Sequence, residues 1–100
     1  MLGRLESSIE RACRQRAEDR GCLLLKLTSR VGDPDRLLVA VGGRVAFVEF
    51  KRPGLALEAI QAYRAKALAE LGLAVYRIDR VSQFDNLLQD ILTPGQWPRV

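Results

Sequence analysis

Histidine is absent from this 100-residue chain, and the absence narrows its chemistry more than any residue present. Without imidazole there is no Ser-His-Asp triad, no Cys-His pair, and no histidine-ligated zinc or nuclease metal. Cysteine is scarce as well. Cys13 and Cys22 are too few and too scattered for a disulfide framework or a thiolate metal site, and are expected to be reduced, packed side chains. No apolar run nears the ~18 residues of a membrane span. The N-terminus, with Arg4, Glu6, Glu10 and Arg11, lacks the apolar stretch of a signal peptide. The expected setting is therefore cytoplasmic, with no membrane partner and no organic cofactor. Any hydrolytic chemistry has to rest on carboxylates, lysine and a hard cation.

What is present suffices for one core. Hydrophobic residues make up 48% of the chain, so residues 1–100 are expected to fold as a single domain. Sixteen basic against twelve acidic residues leave a net charge of +4. Arg4, Arg11, Arg14, Arg16 and Arg20 crowd the first segment, while Lys51, Arg52, Arg64 and Lys66 lie around a later motif. Such a balance suits contact with phosphate backbones, although ordinary solvated surface charge explains it almost as well.

Apolar residues at Leu5, Ile9, Ala12 and Cys13 recur at helical spacing, predicting a helix over 5–19 that Gly21 ends. Cys22 to Thr28 reads as a strand interrupted by Lys26, and Ser29 to Pro34 as a loop. Arg36 to Val41 and Arg44 to Lys51 are strand-like runs joined by Gly42-Gly43, a strong hairpin signal. After Pro53-Gly54, the residues Leu57, Ile60, Ala67, Leu68 and Leu71 mark a second helix, closed by Gly72. Leu73 to Ile78 is a fourth strand. Ser82 and Asp85 give a capping-box-like start to a third helix carrying Phe84, Leu87, Leu88 and Ile91 on one face, and Thr93 to Val100 forms an irregular tail. The predicted class is α/β, in the order α-β-β-β-α-β-α. A strand-helix-strand crossover beside an antiparallel hairpin makes the sheet mixed, with helices on its faces.

Two carboxylates and a lysine stand at the open ends of adjoining strands. Strand alternation puts Glu49 and Lys51 on one face with Val45 and Phe47. Asp35 joins them only in one hairpin register. A strict Gly42-Gly43 turn pairs Asp35 with Phe50, on the wrong face. A three-residue turn over Val41 to Gly43, with a glycine in the left-handed region, pairs Ala40 with Arg44 and sets Asp35 opposite Glu49. That second register, or a bulge of the same effect, is expected. Facing carboxylates repel unless a cation sits between them, and all-oxygen ligands favour Mg2+ or Mn2+. Such a site could hydrolyse phosphodiesters, with Lys51 orienting the attacking water or offsetting charge on the phosphorane. An acidic strand end beside a surface lysine is the bland alternative.

These residues carry a resemblance. Gly32-Asp33-Pro34-Asp35-Arg36, then Phe47-Val48-Glu49-Phe50-Lys51-Arg52-Pro53-Gly54, then Gln61, is similar to the VRR-NUC branch of the PD-(D/E)XK nucleases, over about Glu6 to Ile78. The resemblance implies a restriction-endonuclease-like mixed β-sheet flanked by helices, Asp35 and Glu49 as metal ligands, and Lys51 as the catalytic lysine. It adds the Phe50 backbone carbonyl as a further ligand and Gln61 as a residue facing the active site. The acidic residue that the family keeps on its first helix matches Glu6, with Glu10 one turn later as the competing choice. Lys26, Arg36 and Arg52 are the expected nucleic-acid contacts, although Lys26 could equally snorkel to solvent. Asp33 departs from the family's apolar residue before the proline and is expected to be a solvated loop charge. By the same resemblance, the expected function is a metal-dependent DNA endonuclease acting as a homodimer on branched DNA such as Holliday junctions. A catalytically inactive nucleic-acid-binding protein of the same fold, an RNase, and a nuclease subunit awaiting a partner are the competing possibilities.

Overall fold

The structure, a computed structural model, describes residues 7–28, 30–95 and 97. Helix α1 spans Ser8–Asp19 and starts later than its apolar spacing predicts, because Ser7 caps it. The Ser7 hydroxyl accepts from the Glu10 N–H at 3.1 Å, and the Glu10 carboxylate accepts from the Ser7 N–H at 3.2 Å. This reciprocal box satisfies two otherwise orphaned donors. Gly21, at φ +75°, turns the chain out of the helix.

Strands β1 (Leu23–Lys26), β2 (Arg36–Val39) and β3 (Val45–Phe50) follow, then helix α2 (Ala59–Glu70), strand β4 (Val75–Ile78) and helix α3 (Val81–Leu92). The order is the one the sequence implies, with shorter strands than expected. The sheet runs β1-β2-β3-β4, antiparallel across the first three and parallel between β3 and β4. The hairpin takes the three-residue turn. Ala40 donates its N–H to the Arg44 carbonyl at 2.8 Å, and Gly42 and Gly43 hold φ of 78° and 75°. Arg36 pairs with Val48, so the next step of the same register sets Asp35 opposite Glu49.

The two faces of the sheet differ sharply. Leu38, Val48 and Ile78 on one face close over Cys13 and Ala17 of α1 and Phe84, Leu87, Leu88 and Ile91 of α3, all buried in a single cluster. Each large side chain so buried stabilises the fold by about 1.5–3 kcal/mol. Among the described residues, α2 packs over the opposite face, which carries Asp35 and Glu49, and no residue of α2 is buried. The stripe expected on that helix divides. Leu57 and Leu68 are half-buried, whereas Ile60 and Leu71 are exposed at 38% and 79%. At 100° per residue those two fall on the flank of the inward face, not on its centre.

One terminal detail corrects the sequence reading. Ser82 does not open α3; Arg80 is its N-cap, and no side chain caps it. The Gln83 amide oxygen instead accepts the N–H of Asp79 at 2.7 Å, which draws the helix start upstream. In the tail, Trp97 is half-buried and stacks on Tyr76, ring centroids 5.9 Å apart.

Candidate active site

Asp35 enters from the Gly32–Pro34 turn at the head of β2, and Glu49 from the last turn of β3's alternation, one residue before Phe50. They line one cleft with Glu10 and Arg14 of α1, Lys26 at the end of β1, and Lys51 just beyond β3. The Glu49 carboxyl is pushed up to about 7, chiefly by burial and next by the neighbouring Asp35 charge, with Lys51 and Arg36 pulling the other way. A carboxylate that resists ionising beside another carboxylate marks a place where positive charge is wanted.

Two side chains hold the pair in place. Gln61 of α2 donates its amide N–H to Glu49 Oε2 at 3.1 Å, while its amide oxygen accepts the Glu58 N–H at 2.9 Å. One residue thus caps α2 and reaches the site, and the cap fixes which way its amide points. Arg36 binds Asp35 Oδ2 at 3.1 Å and Glu10 Oε1 at 3.5 Å.

The Phe50 carbonyl is available for a physical reason. Continuing the β2–β3 register sets Pro34 opposite Phe50. Proline has no N–H, so this carbonyl lacks the ladder donor another residue would supply there. Phe50 also lines the cleft. Among the described residues, no three carboxylate, imidazole or thiol side chains gather into a ready-made metal cluster. Two carboxylates and a carbonyl nonetheless suit Mg2+ or Mn2+, which keep several waters and need only one or two protein carboxylates. The donor set fits.

The remaining expected residues fall as follows. Glu6 lies outside the described residues; Glu10 is the acidic side chain that α1 brings to the cleft, already paired with Arg36. Lys26 is exposed on the rim, and Arg52 is exposed beside Lys51 in an adjoining groove. Arg36 is different. It lines the cleft itself, and its side chain, 10% exposed, bridges the Asp35 and Glu10 carboxylates. Asp33 is not a free loop charge either, since it pairs with Arg30 at 3.1 Å and Arg64 at 3.5 Å. The hydrogen bond from Arg30 holds its carboxyl below the usual range. Sequence reasoning passed over Arg14 and Glu58 as site residues. Arg14 follows Glu10 by one helical turn, and Glu58 with Gln61 forms an E-x-x-Q cap, so both carried a signal.

Gly32 controls how α2 meets this site. At φ +91°, a Cβ there would lie 2.4 Å from Ile60 Cγ1, next to Gln61. Gly32→Ala is expected to cost about 2 kcal/mol from strain and overpacking, lowering Tm by roughly 10 °C in a domain of this size. Gly43→Ala has a similar φ of +75° but open space around it, so it should lose clearly less. Equal Tm losses in thermal melts would remove the contact argument.

No family model and no curated protein matches the chain. A solved structure described as a VRR_NUC domain does, with a TM-score of 0.74 and 26% sequence identity over 81% of this chain and 90% of that one. The matching fold is the mixed sheet with flanking helices of restriction-endonuclease-like proteins. That likeness in fold supports identity of the chain as a VRR-NUC domain, the fold of a nuclease-domain family.

Proposed function

We propose that this chain is a Mg2+- or Mn2+-dependent DNA endonuclease. The observation that supports the proposal is the convergence of Asp35, Glu49 and Lys51 on one cleft, where the Asp35 charge helps to raise the Glu49 carboxyl. Asp35, Glu49 and the Phe50 carbonyl would hold the cation, which supplies a water of lowered pKa and polarises the scissile phosphate. Glu49 keeps its orientation through Gln61, and Asp35 through Arg36. The Lys51 ammonium would offset charge on the phosphate as its phosphorus becomes pentacoordinate. Arg14 and Lys26 on the rim draw in the backbone on either side.

A homodimer acting on branched DNA such as a four-way junction is the finer form of this proposal. Two symmetric nicks need two active sites, which a C2 pair supplies. Exposed apolar side chains, Tyr63 of α2 at 66% and Leu71 at its C-cap at 79%, offer surface for such a contact. Trp97 is already engaged by Tyr76.

The test is a panel of labelled four-way junction, linear duplex and RNA, each with Mg2+, Mn2+ or EDTA. Cation-dependent cutting of DNA, with the junction competing best, is the expected result. Cutting that persists in EDTA removes the metal, and cutting of RNA alone removes the substrate. Tight binding without cleavage in any cation identifies a binding protein instead. Sedimentation at micromolar concentration checks the dimer; a stable monomer that nicks junction and duplex equally defeats the junction form.

A further inference from the structure

At the end of β4 stands a buried carboxylate that lines neither cleft nor groove. Asp79 is 3% exposed and accepts three hydrogen bonds, from the Gly54 N–H at 3.2 Å, Arg77 Nη2 at 2.9 Å and Arg80 Nε at 3.1 Å. These donors, the Gly54 N–H first, pull its carboxyl down to about 2, so it is ionised throughout the neutral range. Arg77 makes a second grip, its Nε donating to the Leu55 carbonyl.

Both grips fall on one turn. Leu55 donates to the Arg52 carbonyl at 3.1 Å, closing Arg52–Leu55 around Pro53 and Gly54, the latter at φ +84°. Proline then glycine in the central places is the type II pattern. All four residues are exposed, so water could satisfy their backbone without help. Burying a carboxylate to fasten an exposed turn costs desolvation that solvation of the turn would avoid. The turn begins one residue after Lys51, whose own N–H ends the β3–β4 ladder on the Ile78 carbonyl at 3.0 Å.

We infer that Asp79, together with Arg77, is a positioning residue for Lys51, clamping the Arg52–Leu55 turn so that the Lys51 side chain stays directed at the cleft. The inference rests on the proposed nuclease role of Lys51. The strand end that receives the Lys51 N–H also supplies the clamp, so the backbone on both sides of the lysine is tied to β4.

Single-turnover cleavage of labelled junction DNA in Mn2+ tests this in a double-mutant cycle, with Asp79→Ala and Lys51→Ala made singly and together. Asp79→Ala is expected to slow cleavage by about a hundredfold, as when a catalytic group is misplaced by about 1 Å. DNA affinity in EDTA should hold. Lys51→Ala should then cost much less in the Asp79→Ala background than in the parent, an effect that lost stability alone does not produce. Arg77→Ala, which leaves Asp79 its Gly54 and Arg80 partners, repeats the cycle should Asp79→Ala fail to fold by circular dichroism. A parental rate in either folded variant, or effects that simply multiply, overturns the inference while Lys51→Ala alone stays slow. A parental rate in Lys51→Ala itself overturns the underlying proposal, and the inference with it.

Discussion

Glu49→Gln should abolish cleavage while giving a protein that melts at a higher temperature than the parent in EDTA at pH 8. The two effects share one cause. Glu49 sits half-buried near Asp35, and its carboxyl is raised to about 7 by burial and by that neighbour. The folded state therefore keeps a proton that the unfolded chain releases from about pH 4.5 upward, so stability falls as pH rises through that window. Glutamine removes the titration and can still accept the hydrogen bond from Gln61. The Tm advantage of the variant should be small at pH 5 and full above pH 7. Adding Mn2+ at pH 8 should raise the Tm of the parent and leave that of the variant unmoved. The cleavage rate should fall at least about a thousandfold, well beyond the 10–100-fold typical of residues behind a metal's ligands. Asp35→Asn should behave alike in cleavage. Undiminished cutting by either purified variant removes the metal assignment, whatever the melting curves show.

Lys51→Ala should lower kcat by about 10²–10³, the cost of losing one donor to developing transition-state charge, while the affinity for DNA holds. The lysine follows Glu49 by two residues, lines the same cleft and is only partly exposed. A lysine that merely anchored phosphate would show the reverse pattern. Its loss would weaken binding and flatten the salt dependence by about one counterion equivalent, with kcat kept. Single-turnover rates in Mg2+ beside binding titrated across salt separate the two, and near-normal kcat with weakened binding counts against a catalytic role.

Much of this site was legible because its geometry is a matter of parity. Gly42-Gly43 between two apolar runs fixes a hairpin, and only one turn length puts Asp35 on the face of Glu49. The structure adopts that turn. The core face of α3 was equally plain, since Phe84, Leu87, Leu88 and Ile91 keep strict helical spacing. Helix α2 was not. Its apolar residues lie around most of its circumference, alanine among them, so periodicity could not pick out the half that meets the sheet. The ion pairs of Arg36 were hidden for another reason. One of its partners, Glu10, arrives from α1 and is distant in sequence. Ser82 was mistaken for a cap because Asp79 and Gln83 bond across the boundary, a competition that local pattern does not rank.

The two thiols buried under α1 and β1 have a practical consequence. Cys13 and Cys22 are at 0% and 2% exposure, with burial raising both and pushing Cys13 up to about 12. Alkylation requires the thiolate to attack the reagent, so the folded protein is chemically close to cysteine-free. A single cysteine placed on the surface could carry a fluorophore or a cross-linker with little background. The native pair then serves as an internal clock: Cys13 can be modified only when α1 lifts from the sheet, and the rate of its modification reads the free energy of that opening.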